Sequence, residues 1–271
     1  TFFGFQSAAS NLFASLGAFL AGLLITKVAA PFNFASCFLI ASGLYVVSWI
    51  FLNQTREPKR TILPETISTT PLWKNISAIL KEDESFRNFL ISRFISQFGM
   101  MAFAFYTVFA VNKLGMSAIQ VGIMTSVLMI TQVVANPLLG WLSDKWSRKG
   151  VLVLGGVCAV ASAVLALTVT NPNLFALVFV LNGIANTAYW TMGITVSLEF
   201  GSEGTRPTYV GMSNTLIAPS TILAPLLGGV LADIFGYPIT FIMSAVFGII
   251  AVVMLGLLVK DPARKTFQII S

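Results

Sequence analysis

Asn182, Asn186, Tyr189, Gly193 and Ser197 follow one another at intervals of 4, 3, 4 and 4 residues, with Trp190 beside them. On a helix this spacing is one face. Two comparable stripes occur elsewhere: Thr125, Met129, Gln132 and Asn136, and then Asn214, Ala218, Thr221 and Pro225. Gln97 and Tyr106 add an amide and a phenol to a further segment. Amides, hydroxyls and aromatic rings recognise a solute by hydrogen bonding and stacking, and they neither make nor break its covalent bonds. Seven of these residues near the middle of their segments are candidates for lining a solute cavity: Gln97, Tyr106, Gln132, Asn186, Tyr189, Trp190 and Asn214. Packing is an equally open reading for each, because the same groups also bond across helix–helix interfaces. Asn136 precedes Pro137 and reads as a partner for a backbone group that the proline frees.

Covalent chemistry finds little support. The chain has no histidine, and both cysteines, Cys37 and Cys158, sit inside apolar stretches. A conventional His/Cys metal site and a Ser-His-Asp or Cys-His triad are therefore excluded. No catalytic residue, metal ligand or cofactor is expected, and the protein does not read as an enzyme.

The segments that carry the polar stripes are long and apolar. Of 271 residues, 56% are hydrophobic and only 10% charged, and the mean hydropathy is +0.86. Soluble chains carry about 25% charged residues, so lipid is the expected solvent. A helix needs about 20 mostly apolar residues to cross the hydrocarbon core. Eight runs qualify, at approximately 2–25, 33–52, 86–111, 118–141, 150–169, 173–198, 209–232 and 239–259. They are too long, and alternate too little, for transmembrane β-strands. The chain opens on Thr1 with no basic stretch before its first apolar run. This is not the pattern of a signal peptide, and it reads as a piece that begins inside a longer protein.

Most connections are short. The exception, 53–85, contains three prolines and the acidic cluster Glu82, Asp83 and Glu84. Within it Leu72, Trp73, Ile76, Ile79 and Leu80 recur at helical spacing, which predicts a short amphipathic helix at a membrane surface or between bundles. An ordinary polar linker with a turn or two of helix fits as well. The net charge of +6 follows topology. If eight helices alternate, thirteen of the sixteen Lys and Arg fall on one side, and only Lys27 and Lys113 on the other. That asymmetry puts loop 53–85 and the C-terminus in the cytoplasm. Arg93, the sixteenth, lies inside a run. It reads as an anchor whose long side chain reaches back to the headgroups, ahead of the competing reading as a solute ligand.

A shift of 207 positions lays the start of the chain on its end. Thr1, Gly4, Leu16, Leu20, Gly22, Leu24, Pro31 and Phe34 fall on Thr208, Gly211, Leu223, Leu227, Gly229, Leu231, Pro238 and Phe241. The first two helices therefore read as a repeat of the last two.

Residues 140–150, Gly-Trp-Leu-Ser-Asp-Lys-Trp-Ser-Arg-Lys-Gly, join two apolar runs. This segment resembles the cytoplasmic loop signature of the major facilitator superfamily, G-x-L-a-D-r-x-G-r-k-x. The match runs through Gly140, Leu142, Asp144, Lys145, Arg148 and Lys149, and departs at Ser147, where the family usually has glycine. With the long middle loop and the repeat, the resemblance covers the whole chain. It implies an all-α membrane protein of major-facilitator-like helical bundles, with eight transmembrane helices corresponding to helices five to twelve. Residues 1–52 would be the last two helices of the N-terminal bundle, and 53–85 the cytoplasmic loop with its short amphipathic helix. The complete C-terminal six-helix bundle would occupy 86–259, followed by a cytoplasmic tail, 260–271.

The resemblance also gives the loop a role. Gly140, Asp144, Lys145, Arg148, Lys149 and Glu199 form a conformational latch in this reading. Asp144 would sit on a positive helix end near Thr1 to Gly4, and Arg148 or Lys149 would pair with Glu199. The alternative leaves these charges as orientation signals and anchors. The implied function is secondary active transport of a small solute by alternating access. Alternatives are a drug or metabolite efflux antiporter of the same superfamily, or a non-transporting sensor or scaffold on the same fold. The expected partners are a small-molecule solute, membrane lipid and a coupling ion, proton or sodium. No nucleic acid is expected, the full-length protein should be a monomer, and its place is the plasma (inner) membrane. No Asp or Glu lies deep within a run, so no proton site is evident. Helix five, Gly17-Ala-Phe-Leu-Ala-Gly22, lacks the proline of the drug antiporters' motif, while Ala224-Pro225-Leu-Leu-Gly228-Gly229 in helix eleven resembles it.

Overall fold

A computed structural model describes residues 2–29, 31–55, 72–201 and 204–260. Among them the protein is all-α. The helices are α1 (Phe2–Lys27), α2 (Phe32–Asn53), α3 (Leu72–Glu82), α4 (Glu84–Gly99), α5 (Phe103–Leu114), α6 (Ala118–Lys145), α7 (Arg148–Thr168), α8 (Ala176–Thr187), α9 (Gly193–Phe200), α10 (Arg206–Phe235) and α11 (Tyr237–Leu257). A π-helical turn, Ala188–Met192, joins α8 to α9.

Local chemistry sets the helix ends. Asp83 accepts the amide of Phe86 and starts α4. Ser117 and Gln120 form a reciprocal capping box at α6. Ser147, at the position where the loop signature has glycine, adopts an extended backbone and caps α7 by accepting the Gly150 amide at 3.0 Å. Gly115 closes α5 with φ 65°, and Gly236 links α10 to α11 with φ 86°. Both conformations suit a residue without Cβ.

Seven spans among the described residues are long and apolar enough to cross a membrane: α2, α4 with α5, α6, α7, α8 through α9, α10 and α11. Helix α1 runs for 26 residues, about 39 Å at 1.5 Å per residue. The chain forms two compact units, residues 12–74 and residues 1–11 with 75–271. In the smaller unit, α2 exposes its large apolar side chains, among them Phe38, Leu44, Tyr45 and Phe51.

In the larger unit, α7 packs against α8 and α11, and α4 packs against α11 and α10. Small residues allow the close crossings. A Cβ on Gly99 of α4 would stand 2.8 Å from the Gly248 Cα of α11. One on Gly155 of α7 would stand 2.4 Å from the Ala188 Cβ. Backbones approach this closely in membrane bundles because packing, rather than exclusion of water, holds the helices together. Two buried clusters result. One gathers Phe86, Phe89, Val151, Leu152, Val196 and Leu255, and Ile76, Ile79 and Leu80 of α3 pack on it. The other gathers Tyr106, Phe175, Phe179 and Phe241. The side chains of Leu72 and Trp73 lie outside the described residues.

Two apolar runs are interrupted. Run 86–111 divides at Met100–Ala102 into α4 and α5. The Ser244 hydroxyl of α11 serves both freed ends: it donates to the Gly99 carbonyl at 2.6 Å and accepts the Ala102 amide at 3.4 Å. Run 173–198 is helical from Ala176 and contains the π turn.

One end of the unit is tied together by hydrogen bonds. Lys149 Nζ donates to the carbonyls of Gly256 and Val259, at 2.9 and 2.5 Å. The Lys260 amide donates to Ser85 Oγ at 3.0 Å. The start of α4, the α6–α7 junction and the end of α11 therefore emerge together.

Candidate functional site

A cavity of about 520 Å³ opens between the α4–α5 break, the π turn and α10, within the usual range of small-molecule sites of about 300–1,000 Å³. From α4 come Arg93 and Gln97; from α8 and the π turn, Asn186, Tyr189 and Trp190; from α10, Asn214, Ala218, Thr221 and Pro225. Met100, Ile217 and Ala224 supply apolar wall. The break and the π turn both lie on this cavity. A π turn inserts an extra residue into a helix and often marks a functional site.

Five of the seven cavity candidates, Gln97, Asn186, Tyr189, Trp190 and Asn214, meet here. Tyr106 lies elsewhere. It is buried in the second cluster, its hydroxyl 2.9 Å from Ser162 Oγ and its ring against Phe241 and Phe175. Gln132 is half-buried on α6 and does not line the cavity. Asn136 also serves the helix framework: its Nδ2 donates to the Gln132 carbonyl and its Oδ1 accepts Thr191 Oγ1. The stripe through Asn182, Asn186, Tyr189, Gly193 and Ser197 is divided. Asn182 and Ser197 are buried away from the cavity. Beyond the π turn the lining passes to Trp190 and Ile194, because the extra residue rotates everything after it.

Arg93 is the residue that helical spacing misread. Its guanidinium stays among the helices, with Cζ 5.2 Å from the centroid of the Tyr189 ring. Space for it comes from Gly193, where a Cβ would stand 2.5 Å from Arg93 Nη2. Gly156 does the same for Tyr189, since a Cβ there would stand 2.8 Å from the phenol oxygen. Nε and Nη1 of Arg93 are shielded from solvent and have no hydrogen-bond partner among the described residues. Stripping a cation of water costs several kcal/mol. A desolvated cation–π contact returns about 2 kcal/mol. The ring alone therefore leaves the guanidinium under-compensated.

A second cavity, about 400 Å³, shares Trp190 and Ile194 and adds Thr191, Thr195, Gln6, Ser10 and Asn11. The last three belong to the same compact unit.

At the tied end, Arg148 Nη1 donates to Glu199 Oε1 in an ion pair whose glutamate side chain is 14% exposed. Lys145 Nζ lies 4.4 Å from the centre of the Trp141 ring. Arg148, Glu199 and Lys149 thus bind α7 to α9 and α11 inside one bundle. The Ser143 hydroxyl donates to the Gly140 carbonyl at 2.7 Å. The contact expected between Asp144 and the stretch Thr1 to Gly4 falls outside the described residues.

A sequence model described as Major Facilitator Superfamily matches residues 89–269. The chain is 27% identical over 155 residues to Multidrug resistance protein 1 of Bacillus subtilis, covering 57% of this chain and 39% of that protein. It is 27% identical over 188 residues to Multi-drug resistance efflux pump PmrA of Streptococcus pneumoniae, covering 65% and 44%. It is 25% identical over 236 residues to the uncharacterized MFS-type transporter YttB of Bacillus subtilis, covering 84% and 56%. The matched stretch thus spans about two fifths to just over half of these relatives.

Proposed function

The chain belongs to the Major Facilitator Superfamily, and from that premise we propose that it forms part of a secondary active transporter that moves a small solute by alternating access. It is a multi-pass membrane protein. The observation that carries the reading is the cavity of about 520 Å³, built where two spans interrupt their regular helix. Broken helices at a buried cavity are a recurring design of transporter sites. Gln97, Asn186, Tyr189, Trp190 and Asn214 bind the solute, and one bundle rocks against the other around it. The tied end, rich in cations, faces the cytoplasm, and the membrane is the plasma membrane. The Arg148–Glu199 pair and the Lys149 contacts hold the signature loop rigid on its own bundle. Asp144 completes a latch by engaging the other bundle.

Export is the favoured direction. Two relatives carry multidrug resistance or efflux in their names, and this reading rests on that likeness. The test is flux in proteoliposomes, with the protein reconstituted in both orientations and offered anionic, neutral and cationic aromatic solutes. Saturable, protein-dependent movement of at least one class supports the proposal. Absence of flux for every class, with correctly inserted protein, overturns it.

A further inference from the structure

We propose that Arg93 is an anion subsite within this cavity, and that the solute it serves is a small amphipathic organic acid held by its carboxylate. This proposal deepens the reading of the cavity as the solute site and rests on it. Three independent features converge on Arg93. Its Nε and Nη1 are shielded from water and lack any acceptor, although every helix around them is present. It lines the cavity, where no Asp or Glu is found among the lining residues. Its position is built, not incidental: Gly193 leaves the space for the guanidinium and the Tyr189 face covers it.

The chemistry selects the ligand. A guanidinium presents paired N–H groups that match the two oxygens of a carboxylate, and such charge-assisted bonds are the strong ones. Bound there, the carboxylate would supply the acceptors that Nε and Nη1 lack and neutralise a charge that the Tyr189 ring only partly offsets. The rest of the wall suits an uncharged body. Trp190, 72% exposed, offers a flat ring, while Met100, Ile217 and Ala224 give apolar surface. Gln97, Asn186 and Asn214 offer amides for hydroxyl or carbonyl substituents. A cation would meet the guanidinium with no carboxylate to balance it, so the same wall disfavours cationic solutes.

The probes are 2-naphthoate and its uncharged counterpart 2-naphthamide, measured by equilibrium dialysis on the protein in phosphatidylcholine nanodiscs. Naphthoate should bind at least tenfold more tightly than naphthamide. Arg93→Met should abolish that preference and leave naphthamide affinity within about threefold of the parent. Gly193→Ala is a second variant that keeps the charge but takes its space, and it should weaken naphthoate selectively. Thermal unfolding adds a readout that a merely structural arginine would move the other way. The empty Arg93→Met protein should melt no lower than the parent, and naphthoate should raise the melting temperature of the parent alone.

Equal affinity for the two probes, no binding of naphthoate, or a preference that survives both substitutions overturns the proposal. Displacement of naphthoate by added phosphatidylglycerol would assign the anion to a lipid headgroup and overturn the solute. Flux and dialysis separate the two levels of inference. A naphthoate preference without flux of any solute refutes transport but keeps the anion site, and flux without the preference does the reverse.

Discussion

Substituting Gly99 by alanine tests whether the close crossing of α4 and α11 holds this bundle together. The new Cβ would stand 2.8 Å from the Gly248 Cα and 3.0 Å from its amide nitrogen. Both obstacles are backbone, so neither can rotate aside. Restoring ordinary contact requires the two helices to part by at least about 0.6 Å, and overpacking of this kind costs about 1–3 kcal/mol. The shift also pulls on the Ser244 hydroxyl, which is 2.6 Å from the Gly99 carbonyl. Weakening that bond adds about 0.5–1.5 kcal/mol. The sum, about 2–4 kcal/mol, corresponds to a fall of roughly 5–15 °C in melting temperature for a chain of this size. A thiol-reactive dye can follow unfolding in detergent, because Cys158 is half-buried on α7. Gly256→Ala is the matched control: nothing lies within 4 Å of its added Cβ, and its melting temperature should stay at or above that of the parent. A Gly99→Ala protein that melts within about 1 °C of the parent would refute the claim that this crossing is limiting.

Three further outcomes follow from the geometry. Ser244→Ala leaves the Gly99 carbonyl and the Ala102 amide without their shared partner; it should cost about 1–3 kcal/mol, read as a lowered melting temperature. Asp144→Asn should cut flux severalfold while leaving membrane insertion intact, and unchanged flux would remove the latch. Glu199→Gln should lower thermal stability by about 1–3 kcal/mol, because the glutamate is largely buried against Arg148. The exchanged pair, Arg148→Glu with Glu199→Arg, should recover part of that loss in a double-mutant cycle.

The spans were legible in the sequence because apolar length is a local quantity, and the run at 150–169 lies close to α7, Arg148–Thr168. The interruptions inside the spans were not legible, because what stabilises them comes from elsewhere in the chain. The gap at Met100–Ala102 is served by Ser244, more than 140 residues away. The π turn could not be read from a 3.6-residue period, which put Asn182 and Ser197 on the same face as Tyr189. Asn214, Ala218, Thr221 and Pro225 lie on a helix that stays in phase, and all four reach the cavity. Arg93 shows the same limit. Its distance from the end of its own helix suggested an anchor, whereas the space that holds it belongs to Gly193, one hundred residues later. No single-helix pattern carries that information.

The division of one membrane span at Met100–Ala102 also has a mechanical meaning. Arg93 and Gln97 ride on one rod, and Phe105, pressed against Gly228 of α10, rides on the other. The joint between them is lubricated by a hydroxyl from a third element, so a pull on the lower rod is taken up as rotation at the joint instead of bending the upper one. Two short levers on a shared fulcrum, α11, replace a single stiff beam, and the piece that grips cargo can tilt while its continuation stays seated in the aromatic cluster.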